Sequence, residues 1–393
     1  MLIGTQSLLS SQAHKGLPQQ ALPAGLFSPV AGLAADIAGS IRDTLKQQFA
    51  SASGSLAGFF FLDDDSHDRG EFDSTWREYR DAESEAATAS SADQLRAKLG
   101  IDADWSGAGS LKELVGILKE QGRDDAKVMT WLEQIGSRHG KSTLEALAAS
   151  LVYYHKVGTR VGGVTKTDIL CDALHDVAWP SDIAQRNRGT CGAAAIQMKL
   201  ALERPQQYVS TLLTLAQGKS YTTPGGAEMK ANNTWVGDSG DARTLSCRIM
   251  QNAIMNLGGK GLLWDNTYDS SDDDNEGGLD RGEQTYAIEQ IFGDSDYDND
   301  GLFTSSSALY RYVEDDIARG RSVSVSFKGH AVLVVGIDKS QSQTKLIMNS
   351  WGRQFEMTVD EFKRFVKAAR TIDDSGSDNR TTAAGSKTIL GDH

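Results

Sequence analysis

The 393-residue sequence is poor in several residues that would mark common protein classes. It has three cysteines, Cys171, Cys191 and Cys247, an odd and sparse set without a C-x-x-C pair. That argues against a disulfide framework and a cysteine zinc site, and it suits a reducing workplace. Basic residues are outnumbered, 40 Lys and Arg against 53 Asp and Glu, for a formal net charge of −13. A general nucleic-acid binder needs basic surface to replace counterions, so no nucleic-acid partner is expected. Long apolar runs are missing as well. Residues Ala21–Ile41 are broken by Pro23, Pro29 and Asp36, and Leu56–Leu62 is too short to cross a bilayer, so no membrane span is expected. No basic residue precedes Lys15 and no compact apolar stretch ends in a cleavage site, so no Sec-type signal is read. The expectation is a soluble chain with enough length to bury a full core.

What is present divides into four stretches. Residues 1–60, rich in Ser, Ala, Gln and Gly, read as a flexible leader. Leaders of this composition also direct bacterial effectors into injection systems. That reading makes the chain a virulence effector delivered to a reducing host cytosol, with a secretion chaperone or an inhibitor as partner. Residues 61–166 read as an α-helical accessory or pro-like region. Capping-box patterns start at Ser91, Ser110 and Ser142, and apolar stripes recur at helical spacing, for example Leu111, Leu114, Val115 and Leu118. Residues 167–373 mix helix and strand and read as the catalytic domain. Helices are expected from Cys191 to Pro205, over 309–320 and from Thr358 through Ala369. Strands are expected at 322–327, 330–337 and 344–350. Residues 374–393 read as a mobile tail.

The stretch QRNRGTCGAAAIQ (185–197) sets Cys191 at the head of an alanine-rich helix. Taken alone, this cysteine is equally a small buried residue. As a nucleophile it must be a thiolate, which a helix N-terminus and a nearby imidazolium favour. Of seven histidines, only His330 opens a strongly apolar strand that would hold an imidazole rigidly as general base. His155 reads as structural, and His175 precedes the site in an expected helix. Asn349, at the end of the next strand, offers an amide to orient His330, with Trp351 beside it to keep water out. Gln185 and the Cys191 backbone N–H can donate to an oxyanion.

These blocks, QRNRGTCGAAA, GHAVLVVGID and LIMNSWG, resemble the three active-site blocks of papain-like cysteine peptidases, in the family's order Cys, His, Asn. The resemblance covers about residues 180–352. It implies an α+β fold in which a helical subdomain carrying the nucleophile packs on an antiparallel β-subdomain carrying His330 and Asn349. It also implies thiol-dependent hydrolysis of peptide bonds in a protein substrate, through an acyl-enzyme on Cys191 and without a required cofactor. Arg188 stands where the family has a further cysteine and Gly192 where it has an aromatic residue. The sequence after Gly352 departs as well, so a rebuilt substrate groove is expected. The same site would serve a deamidase or transamidase, and a non-catalytic binding protein on the same fold is a third reading.

An acidic insert, residues 265–300, carries thirteen Asp or Glu against Arg281 alone. Asp296, Asp298 and Asp300 before Gly301 match the first half of a calcium-binding EF-hand loop. The twelfth position is Ser307, where a bidentate Glu belongs. Calcium is therefore a secondary reading beside a solvated loop that attracts a basic substrate segment.

Overall fold

The computed structural model describes residues 77–78, 109–123, 126–159, 162, 164–186, 188–232, 236, 241–259, 278–294, 297–300, 304–327, 329–340, 342–372 and 388–389. The chain divides into two units, Met1–Asp68 and Arg69–His393, and every described residue lies in the second. The leader, the Ser91 box, most of the acidic insert and Asp296 fall outside the described residues.

Apolar spacing dictates where the first helices form. Helix α1 (Gly109–Glu120) buries Leu111, Leu114, Val115, Ile117 and Leu118. Helix α2 (Ala126–His139) buries Val128, Met129, Trp131, Leu132 and Ile135, and α3 (Lys141–Val157) buries Leu144, Leu147, Ala148 and Leu151. The expected caps differ. Ser110 lies inside α1, and the N-cap of α3 is Gly140 at φ 82°, with no side-chain cap bond. Burial of the apolar face, about 1.5–3 kcal/mol per large side chain, outweighs a missing cap of about 1 kcal/mol. Among the described residues, the capping boxes that close are Asp280–Glu283 and Thr358–Glu361.

Helix α4 (Lys166–Ala178) is capped by the Thr165 hydroxyl, which accepts the Asp168 N–H. Helix α5 (Cys191–Glu203) is buried from Gly192 to Leu202, as an alanine-rich run apolar on most faces requires. Pro205 closes it and opens α6 (Pro205–Leu215) at the position where a missing N–H costs nothing. Helices α7 (Leu245–Gly258) and α8 (Arg281–Phe292) complete the layer. Helices α1–α8 share a single hydrophobic core, which also takes in Leu333, Val335 and Ile347 from the sheet.

The strands are β1 (Arg77–Glu78), the short pair β2 (Tyr221–Thr222) and β3 (Glu228–Met229), then β4 (Tyr297–Asp300), β5 (Val323–Phe327), β6 (His330–Asp338), β7 (Lys345–Ser350), β8 (Arg353–Thr358), β9 (Ala368–Ile372) and β10 (Thr388–Ile389). The main sheet is antiparallel in the order β1-β8-β7-β6-β5-β9-β4, with β10 on β6. Strand β6 is apolar between its end residues His330 and Asp338 because both its faces are covered. Leu333 and Val335 meet the helical core. Val332 and Val334 meet a second core with α9 (Ser306–Ala318) and Phe362 of α10 (Val359–Phe365).

The protein is thus α+β, a helical lobe against an antiparallel sheet. One expected element changes. The last helix stops at Phe365, and Ala368–Ile372 is a strand between β5 and β4, where a ladder on both sides outweighs alanine's helical preference. Within the expected mobile tail, Thr388 and Ile389 pair with Ile337 and Gly336. Asp298 and Asp300 stand on a strand paired with β9, while Asp296 and Gly301 of the calcium reading lie outside the described residues. No helix among the described residues is long and apolar enough to cross a membrane.

Candidate active site

Helix α5 begins with the cysteine itself. Thr190 occupies the N-cap position but makes no side-chain cap; its hydroxyl turns inward and donates to Gln251 Oε1 at 2.7 Å. The free N–H groups of the first turn therefore face the thiol end. Gly192 is required by a neighbour: a Cβ there would lie 2.9 Å from Gln284 Cδ, so a side chain from α8 fills that space. Gly278 passes on the other side, where a Cβ would meet the Gly189 carbonyl oxygen at 2.7 Å and Cys191 Sγ at 3.7 Å.

Cys191 is half-buried. Burial is the largest influence on its thiol and pushes it above the ordinary value, against the pull of the Ala331, Gly192 and Cys191 backbone N–H groups and of the Arg370 charge. The Ala331 N–H matters for placement as well as charge. It comes from the second residue of β6, so the strand that begins with His330 meets the head of α5 at the thiol.

His330 is held by its neighbours on β7 and the following turn. Its Nε2 hydrogen-bonds Ser350 Oγ at 2.6 Å, and the Trp351 ring stacks on it with centroids 4.2 Å apart and planes 9° from parallel. Trp351 and Gly352 form the two-residue link between β7 and β8, with Ser350 paired to Arg353. Both have positive φ, 50° and 73°, the primed turn that matches strand twist. A tryptophan pays about 1–2 kcal/mol for that backbone conformation, so its position over the imidazole is imposed by the hairpin. Gly352 fits because a Cβ there would lie 3.0 Å from Ala184 Cβ, which ties the turn to the segment leading to Gln185.

Two expected partners point elsewhere. Asn349 is buried on β7, but its Oδ1 accepts from Gln354 Nε2 at 3.0 Å; Ser350, one residue on and across the pleat, takes the imidazole. Gln185 donates its side-chain amide to the Arg188 carbonyl at 3.0 Å, while the Arg188 N–H returns a bond to the Gln185 carbonyl. The glutamine closes the loop before Cys191 and is not aimed at an oxyanion in this state.

A buried polar chain under α5 is absent from the sequence reading. Gln251 Oε1 accepts from Thr190 and from Arg243, whose guanidinium pairs with Asp241 at zero exposure. Gln251 Nε2 donates to Gln197 Oε1 at 3.1 Å, and Gln197 Nε2 reaches the Tyr208 hydroxyl at 3.1 Å. Tyr208 in turn donates to Asp176 Oδ2 at 2.5 Å. The chain ends near His175, whose Nε2 lies 3.1 Å from Asp182 Oδ2. Burial lowers the His175 value, but the hydrogen bonds and charges of Asp176 and Asp182 outweigh it and carry it up to about 9. Asp172, beside them, is pushed up to about 7, first by burial and then by the Asp176 charge. Only the i, i+3/i+4 set Asp172, His175 and Asp176 on one helix face hinted at this cluster. The long-range partners had no sequence signal.

Among the described residues, no group of three or more His, Cys, Asp and Glu is placed to hold a metal ion. No protein-family model, curated protein or solved structure matches this chain.

Proposed function

We propose that this chain is a thiol-dependent peptidase of papain-like design, hydrolysing amide bonds of a protein substrate through an acyl-enzyme on Cys191. The observation that carries the reading is the meeting of α5 and β6: the Ala331 N–H at the Cys191 thiol, one residue from His330. In the reaction, the Cys191 proton passes to His330, and the thiolate adds to the substrate carbonyl. The N–H groups at the head of α5 face the oxyanion. The tetrahedral intermediate collapses as the amine leaves with the proton from His330. A water molecule, giving its proton to His330, then releases the acid and restores the thiol.

Ser350 orients the imidazole in this reading, and Trp351 shields it. Gln185 joins the oxyanion site only if substrate displaces its bond to Arg188. The test is the intact mass of the protein after treatment with a peptidyl epoxide directed at active thiols. One adduct on the wild type and none on Cys191→Ala is expected. A folded wild type that takes no adduct counts against an activated nucleophile. Release of ammonia from glutamine substrates without peptide cleavage would move the same site to a deamidase.

A further inference from the structure

Arg370 is a buried cation in an unusual position. It lies on β9 opposite Ser324 of β5 and is 1% exposed. Its NH1 donates to Ser326 Oγ at 2.6 Å, but Nε and NH2 have no hydrogen-bond partner among the described residues, nor does the neighbouring Ser324 hydroxyl. An interior guanidinium left this way is costly, on the order of 1–3 kcal/mol for each unsatisfied group and more for a charge. The arrangement calls for a matching negative charge.

The ladder shows where that charge can arise. Ser326 pairs with both Ala368 and Ala331, and the Ala331 N–H is the one that meets the Cys191 thiol. The charged groups that act on Arg370 are of both signs. Arg281 on α8 opposes it, while Asp280 supports it from a carboxylate already engaged in capping the Glu283 N–H. The remaining group that couples to it is Cys191.

We propose that Arg370 is the fixed counter-charge of the Cys191 thiolate, a positioning residue that makes ionisation attainable in a site whose burial opposes it. This rests on the reading of Cys191 as nucleophile. When the thiol proton moves to His330, the sulfur gains a negative charge inside a low-dielectric interior, and the unsatisfied guanidinium is then matched. Burial and Arg281 lower the Arg370 value to about 9, which leaves it charged at neutral pH. A guanidinium suits the role because it is weakly hydrated and stays ionised when buried.

The experiment follows the rate of Cys191 alkylation by iodoacetamide against pH, with the adduct mapped by mass. The thiolate sulfur forms the new S–C bond and iodide leaves, so the rate reports the thiolate fraction and needs no peptide substrate. Arg370→Met is expected to slow alkylation at pH 7 by about tenfold or more, moving the midpoint up by a pH unit or more, with the alkaline plateau unchanged. Arg370→Lys, which keeps the charge, should stay within about threefold of wild type. Near-UV circular dichroism checks folding, and Arg370→Gln replaces the Met variant should that not fold. An unchanged rate–pH curve in a folded neutral variant overturns the proposal, as does a Lys variant as slow as the neutral one. Absence of peptide turnover with the Arg370 effect intact would instead overturn the peptidase reading alone.

Discussion

Two histidines, one in each lobe, are held in opposite ways. In the helical lobe, His175 stands between Asp176 and Asp182 with its ring edge against Trp131. In the sheet lobe, His330 has the Ser350 hydroxyl on one nitrogen and the Trp351 ring across its face. Two carboxylates fix His175 as a cation up to about pH 9, so it cannot take a proton from anything at neutral pH. Neither the hydroxyl nor the indole carries a carboxylate's negative charge, which suits the proton exchange proposed for His330. One histidine is a fixed structural charge, and the other is the one the proposed mechanism asks to exchange protons.

The largest break in this comparison is at the sulfur. Cys191→Ala should lower peptide turnover by at least about a thousandfold with an unchanged circular dichroism spectrum, because the substituted residue heads a helix whose packing begins at Gly192. Smaller is the effect of the imidazole's partner. Ser350→Ala should cost about tenfold in kcat with little change in KM, the worth of one hydrogen bond of about 1.4 kcal/mol. Asn349→Ala should cost less than about threefold in kcat. A reversed order of those two would return the orienting role to the amide.

The smallest effect on turnover, and the clearest on stability, belongs to His175. Its folded value lies above the unfolded one, so the stability it contributes is complete below about pH 6.5 and is lost as pH rises toward 9. His175→Ala should therefore cost on the order of 2–3 kcal/mol at pH 6 and flatten the fall in melting temperature between pH 6.5 and 9, leaving kcat per folded molecule unchanged. Asp172, raised to about 7, adds a loss of the same sign between about pH 4 and 7. Removing the neighbouring imidazolium should raise its value further. Urea titrations across this range test both.

How far the sequence reaches can be judged from the same elements. The strands at 323–327, 330–338 and 345–350 were legible from their β-branched and apolar residues, and the middle one from a nearly continuous apolar run, as burial on both faces demands. Cys191 at a helix head and His330 at a strand start were legible for the same local reason. The partner of His330 was not, because neighbouring residues on a strand point to opposite faces and the register of β6 against β7 shifts at a bulge between Val334 and Gly336. Arg370 follows directly on a stretch that reads as helix, and only pairing with β4 and β5 turns it inward. The Gln251–Gln197–Tyr208 chain joins residues far apart in sequence, and no local pattern announces such contacts.

The turn at Trp351 and Gly352 bears on how this protein can change. An asparagine at the first of these positions would relax the backbone and strengthen the hairpin, while removing the ring that covers His330. Selection for heat resistance alone would favour Trp351→Asn wherever the relaxed backbone outweighs the lost contacts with His330 and Phe355. On the proposed function the indole is kept for chemistry, so a stability-driven library should discard it early.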